Sequence, residues 1–330
     1  MTVSSSGDDI IALRAVRGFH VGGEQVALSG LPVAQIVAIP GSAPRPSDPN
    51  GHYQVGQLYV QRFELAAPRA PVPLLLWHGG GLSGVTWEDT PDGRPGWLDF
   101  FLRHGWECWV SDAVERGRAS WARYPEINPG PPEHRPIDQA WGMFRFGPDG
   151  GYSPDPARRQ CFPGLRFPVA AADAFEKQFV ARWTTSNAAA QRAYDALVRR
   201  AGPCVLLAHS QGGRFAMQAA ATAPQLVRAL VLIEPAGGLD PQVVSPAPLR
   251  GVPTLVVWGD FHAQSASWQS HRARAERWFA AVREAGGQID VLDLPAHGVH
   301  GNSHMLMMDD NNDAIAARVQ DWLAGRALRR

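Results

Sequence analysis

The sequence predicts an α/β fold built on a doubly wound, mostly parallel sheet. Three observations carry that prediction: short apolar runs with almost no interruption, longer amphipathic stretches alternating with them, and turn-forming residues at the junctions. A strand covered by helices on both faces is apolar along its whole length, whereas a strand with one wet face alternates. Strand followed by helix, repeated, gives a parallel sheet with helices on both sides.

Taken in chain order, PGSAPRPSDPNG (40–51) reads as an exposed loop, and QLYVQRFEL (57–65) alternates, as expected of an early antiparallel strand with one exposed face. The buried strands are expected at VPLLLW (72–77), ECWVSD (107–112), CVLLA (204–208), ALVLI (229–233), TLVVW (254–258) and IDVLDL (289–294). Helices are expected at residues 96–104, 187–201, 211–222, 270–285 and 314–324. In the second of these, Ala190, Tyr194, Leu197 and Val198 recur at helical spacing with arginines on the other side. Residues 115–186 break the rhythm, being rich in Pro, Gly, Arg and aromatics with little periodicity. That stretch is too long for a plain loop and too aromatic for a disordered linker, so it is expected to be an insertion covering the carboxyl edge of the sheet as a cap or lid. One domain spanning residues 1–330 is expected.

The chain has 330 residues, 45% of them hydrophobic, and its 31 basic residues balance 31 acidic ones. A neutral balance offers no electrostatic footprint for nucleic acid or an anionic membrane. The length supplies a core without a disulfide or metal staple. Cys108, Cys161 and Cys204 are odd in number, widely spaced and form no CxxC pair, which fits a reducing compartment. The opening MTVSSSGDDIIALRAVRGFH lacks a basic start followed by an apolar stretch, and no apolar run is long enough to span a bilayer. A cytoplasmic protein is expected. Lys177 is the one lysine and no glycine-rich loop precedes it, so phosphate-loop chemistry is excluded. No heptad pattern indicates an oligomeric state.

The chemistry centres on CVLLAHSQGG (204–213), where a buried strand runs into Ser210 and a helix-forming stretch follows at once. Such a turn lifts the hydroxyl above the sheet and sets it at a helix N-terminus, whose free N–H groups favour negative charge. The pattern is a nucleophile elbow, G-x-S-x-G, with Ala208 in place of the first glycine. A serine nucleophile needs a base, and the base needs an orienting acid. The loop 295–313 holds His297, His300 and His304. His304 is preferred, because the loop must cross the top of the sheet before its helix begins; His300 is second, and His297 leaves its strand too soon. Glu234 and Asp260 both end strands at the carboxyl edge, and spacing alone does not separate them as the acid. The strand 72–77 runs into His78-Gly79-Gly80-Gly81, so the N–H of Gly80 or Gly81, with that of Gln211, forms the expected oxyanion hole.

Competing motifs fare worse. The run 79–84 satisfies G-x-G-x-x-G, but Pro91, Gly93 and Pro95 preclude the long helix that a dinucleotide site opens on. His297, His300 and His304 lie among glycines without the helical alignment that metal ligation at that spacing needs. Asp309-x-Asn311-x-Asp313 lacks the glycine and the glutamate of a calcium loop, and these acidic residues are expected to begin the last helix. No metal and no cofactor is expected.

With elbow, HGGG and late histidine in this order, the chain resembles an α/β-hydrolase-fold serine esterase, and more narrowly a small group of bacterial carboxylesterases. The matching segments are HGGGLSGVTWEDTPDGRPGW (78–97), VERGRASW (114–121), AHSQGG (208–213), LIEPAG (232–237) and GNSHMLMMDDNN (301–312), spread over most of the chain after residue 70. Residues between about 119 and 186 match less clearly. In that group the acid is a glutamate after the sixth strand, so the resemblance implies Glu234 over Asp260 and His304 over its neighbours. It also implies a cofactor-free carboxylesterase that hydrolyses small-molecule esters through an acyl-enzyme. The alternatives are the same machinery acting on an amide, lactone or C–C bond, or a noncatalytic binding protein of this fold. Trp87, Trp97, Trp121 and Trp141 suggest an apolar pocket near the site, although most tryptophans are expected simply to fill core.

Overall fold

The computed structural model describes residues 10–326. Strand β1 (Leu13–Leu28) is followed by a small antiparallel ribbon of β2 (Ala34–Ile36) and β3 (Arg45–Ser47), then by β4 (Gly51–Leu65). The alternating units come next: β5 (Leu74–Trp77), α1 (Trp97–Arg103) and β6 (Cys108–Asp112). Short helices α2 (Ile137–Met143) and α3 (Ala172–Glu176) lie in the irregular stretch before α4 (Asn187–Ala201) and β7 (Cys204–His209). The chain continues through α5 (Gln211–Thr222), β8 (Val227–Ile233), β9 (Thr254–Trp258), α6 (Ala266–Glu284), β10 (Ile289–Asp293) and α7 (Asn312–Ala324).

Eight strands form one sheet in the order β1-β4-β6-β5-β7-β8-β9-β10. The six from β6 to β10 are mutually parallel, and β1 and β4 add an antiparallel edge. Every residue of β5, β6, β7 and β9 is buried, which is why these runs read as continuously apolar. Alternate side chains feed two cores. Leu74, Leu76, Val110, Val205, Leu207 and Val257 meet α1, α7 and a set of phenylalanines, while Leu75, Trp77, Leu206, Ala208, Leu232 and Val256 meet α4, α5 and α6. In α4 the buried face is Ala190, Ala193, Tyr194, Leu197 and Val198, as its spacing predicts.

Several elements depart from the sequence reading, among them β2, which was not expected, and β4, which starts at Gly51 rather than Gln57. Strand β1 has no buried residue, so no apolar pattern marks it; a long backbone ladder to β4 defines it, with Arg14 and Arg17 on Glu64. The expected loop at 40–51 contains β3. Helix α6 begins ahead of its expected start, since Ser265 and Ala266 carry no apolar signal.

Residues 113–186, between β6 and α4, pack over the carboxyl edge of the sheet. Their phenylalanines pack among themselves, Phe146 stacked on Phe167 at 3.8 Å between ring centres and Phe144 edge-on to Phe175 at 5.2 Å, and belong to the sheet's own core. Backbone bonds tie the stretch to the loops at that edge: Val180 N–H donates to the Gly81 carbonyl (2.9 Å) and Arg166 N–H to the Gly301 carbonyl (2.8 Å).

Candidate active site

Ser210 sits at the junction of β7 and α5 with φ 54° and ψ −119°, a conformation that costs a side-chain-bearing residue about 1–3 kcal/mol. The neighbours make the sharp turn feasible. A Cβ on Gly212 would lie 2.6 Å from the His78 carbonyl oxygen, so only glycine fits there. Ala208, in register with Trp77 and Leu232, lies inside β7 where ordinary strand geometry holds, so its methyl replaces glycine without strain.

The HGGG loop lies against this turn. A Cβ on Gly79 would stand 3.1 Å from that of Ser210, and one on Gly80 would stand 3.0 Å from Gln211 Oε1. Gly80, Ser210, Gln211 and His304 line one cavity of about 340 Å³. Gly81, at φ 73°, lines a smaller neighbouring hollow with Arg135 and Val180 instead. His78 staples the loop: its Nδ1–H donates to the Gly79 carbonyl (2.8 Å) and its Nε2 accepts from Ala113 N–H (3.0 Å). Acceptance at Nε2 requires the neutral ring, and burial lowers its pKa to about 4. Gly84, the last glycine of the dinucleotide-like run, opens a short turn and donates its N–H to Asp112, so no long helix starts there.

The histidines of the late loop go to different places. His297 reaches the Asp293 carbonyl, and exposed His300 lies 3.5 Å from Asp260. His304 is buried, with Nδ1 3.1 Å from Glu234 Oε2. A carboxylate only accepts, so the proton is on Nδ1 and Nε2 carries the free lone pair. Trp268, Phe144 and His209 enclose the ring at 4.0, 5.9 and 4.5 Å between centres, and the Phe144 carbonyl accepts the His304 N–H. Burial, reinforced by His209, holds the His304 pKa well below the usual imidazole range, against the pull of Glu234.

Glu234 follows β8 with φ 51° and is fully buried. Its Oε1 accepts the Gly259 N–H, while Oε2 is 2.8 Å from Arg145 Nη2 and 3.5 Å from His262 Nε2. Burial alone would raise its pKa; Arg145, then His262, outweigh burial and hold it well below the carboxylate range. Asp260 stands elsewhere. It accepts N–H bonds from Phe261 (2.7 Å) and Gly301 (2.9 Å) and so anchors the start of the histidine loop. Of the two acids left open by spacing, Glu234 is the one beside His304.

Several groups were silent in the sequence. Arg145, in the insertion, is fully buried and joins Glu234 to the Asp260 carbonyl, which its Nε donates to at 2.7 Å. His209 donates from Nε2 to the His304 carbonyl at 3.0 Å. Asp309 does not begin the last helix as expected: it turns inward and accepts from Ser303 N–H, Ser303 Oγ–H and Asn302 Nδ2. Of the tryptophan reading, the core part holds for three residues, and the pocket part falls to a different one. Trp87, Trp97 and Trp141 fill the core and Trp121 is exposed, while Trp268 lines the cavity. Two of the family-like segments pack together, Arg94 donating to the Met308 and Asp309 carbonyls and Trp97 Nε1 to that of Asn312.

A family model described as the alpha/beta hydrolase fold matches residues 152–285. A solved bacterial esterase superposes with a TM-score of 0.82 and 31% identity, covering 99% of each chain. A probable secreted lipase of a fungal species is 28% identical over 331 residues, 83% of this chain and 87% of its own. A likeness of that extent, over the observed strand order, makes this chain a member of the α/β-hydrolase fold family and a carboxylic ester hydrolase within it.

Proposed function

We propose that this carboxylesterase works through a triad of Ser210, His304 and Glu234. The observation that carries the reading is the Nδ1–Glu234 contact of 3.1 Å in a histidine that lines the same cavity as the elbow serine. Ser210 Oγ attacks the ester carbonyl while His304 Nε2 takes its proton and passes it to the leaving alcohol. Water then repeats the sequence on the acyl-enzyme. Glu234 stays ionised and stabilises the imidazolium. The N–H groups of Gly80 and Gln211 hold the oxyanion, each worth about 10²–10³ in rate. Gly81, turned to the neighbouring hollow, supports the loop through its bond to Val180.

The same reading makes residues from about 115 to 186 a cap within a single domain. Among the described residues no helix is long and apolar enough to cross a membrane. The three unpaired cysteines support a cytoplasmic location.

The test is hydrolysis of p-nitrophenyl esters by the wild type and three variants. Ser210→Ala is expected to lose about 10⁴-fold or more in kcat, and Glu234→Gln to lose far more than Asp260→Asn. A larger loss in Asp260→Asn would overturn the acid.

A further inference from the structure

We infer that the preferred esters of this site carry an anionic oxyacid group near the scissile bond, received by the guanidinium groups of Arg135 and Arg182. The inference deepens the proposed function and rests on it. Both arginines line the cavity that holds Ser210 and His304. Both reach the HGGG loop: a Cβ on Gly80 would lie 3.1 Å from Arg182 Nη1, and one on Gly81 would lie 3.3 Å from Arg135 Nη1.

A bracing role accounts for one of the two. Arg182 donates to Glu133 from Nε at 2.8 Å and from Nη2 at 2.7 Å, and its backbone pairs with that of Glu133. Arg135 is different. It is half-buried, its Nε is unpartnered, and it makes no ion pair with any described residue. Behind them sits Arg116, 4% exposed, with Nε and Nη1 unpartnered. Burial, and then repulsion by Arg182 and Arg135, lowers the Arg116 pKa to about 10, against the pull of Tyr194 and Glu115.

Two carboxylates, Glu133 and Glu115, face the three arginines and offset their charge only in part. Glu133 is occupied by Arg182, and Glu115 accepts from Asn128 Nδ2 at 2.7 Å. Arg214 adds a further cation to the cavity wall. Like charges gathered in a partly dry site, one of them buried and unpaired, destabilise the fold. An anion entering the cavity would relieve that repulsion and meet donors in the fork geometry that oxyacids favour.

The experiment compares matched esters that differ in one charge, using the whole enzyme. One pair places the charge on the acyl side, mono-p-nitrophenyl glutarate against p-nitrophenyl valerate. The other places it on the alcohol side, 4-carboxyphenyl acetate against phenyl acetate. In at least one pair the wild type is expected to favour the anion by tenfold or more in kcat/KM, a preference that shrinks as salt is raised. Arg135→Gln and Arg182→Gln should each reduce the preference about tenfold or more, and Arg135→Lys should restore part of it. The readout is a ratio within one preparation, so a loss of folded protein cancels. No preference in either pair, or one that survives both Gln variants, overturns the inference and leaves the esterase standing. If no ester is cleaved and a fluorophosphonate fails to label Ser210, the underlying triad falls, and this inference falls with it.

Discussion

Glu234 stays charged in a fully buried position because Arg145, His262 and His304 converge on it. Removing the cation from such a pair leaves a buried charge unanswered, which typically costs about 3–5 kcal/mol. Arg145→Met is therefore expected to lower the unfolding free energy by that order in chemical denaturation. It should also shift the pH profile. A carboxylate whose folded pKa is depressed contributes stability above its unfolded value, and that contribution is lost as pH falls through the folded one. Without Arg145 the Glu234 pKa rises, so the loss sets in at higher pH. His304 moves the same way, since Arg145 helps to lower its pKa. In the wild type kcat/KM should stay flat from neutral to below pH 6.5; in Arg145→Met the acid limb should lie higher. An unmoved limb would make Arg145 a merely structural contact. Ser210 was legible because elbow chemistry is local, three residues on either side of one turn. Arg145 was not, because its partner is 89 positions away and no local pattern records a buried ion pair.

At the scale of elements, the histidine loop depends on its own internal lock. Asp309 accepts two bonds from Ser303 and one from Asn302, just ahead of His304, and no cation among the described residues pairs with its carboxylate. Burial outweighs those bonds and raises its pKa to about 7. The folded state thus holds this proton more tightly than the unfolded chain. The stability it contributes is full below about pH 4 and is lost as pH rises to about 7. Asp309→Asn removes the titration. The difference in unfolding free energy should move in the variant's favour between those pH values, by at most about 1.4 kcal/mol per unit. A difference independent of pH would remove Asp309 from this role. The loop was read as the home of the base, and the acids in it as the start of a helix. The two meanings of an aspartate before a helix, exposed charge or buried acceptor, differ only in which way the chain turns.

Over the whole molecule, the insertion and the sheet share one core. Phe144, Phe146, Phe167 and Phe175 lie in the same buried cluster as Leu74, Val205 and Ile315. An insertion joined in this way should not melt alone. Calorimetry is expected to show one transition with matching calorimetric and van't Hoff enthalpies. Phe175→Ala should lower the unfolding free energy by about 3–5 kcal/mol without splitting the transition. A separate early transition for the variant or the wild type would make the insertion an independent unit.

The interior of the fold was legible because burial writes itself into local composition: strands covered on both faces are apolar throughout, and an amphipathic helix repeats its buried face every turn. The elbow and the glycine loop were legible for a related reason, since tight backbone turns restrict residue type at fixed spacing. Strand β1 escaped because its pairing lies in the backbone and none of its side chains is fully buried. The nearness of Glu234 rather than Asp260 to His304, the enclosure of His304 by Trp268 and Phe144, and the gathering of Arg116, Arg135 and Arg182 belong to tertiary structure. Each depends on where distant segments meet, and the energy of a buried charge is set by its neighbours in space.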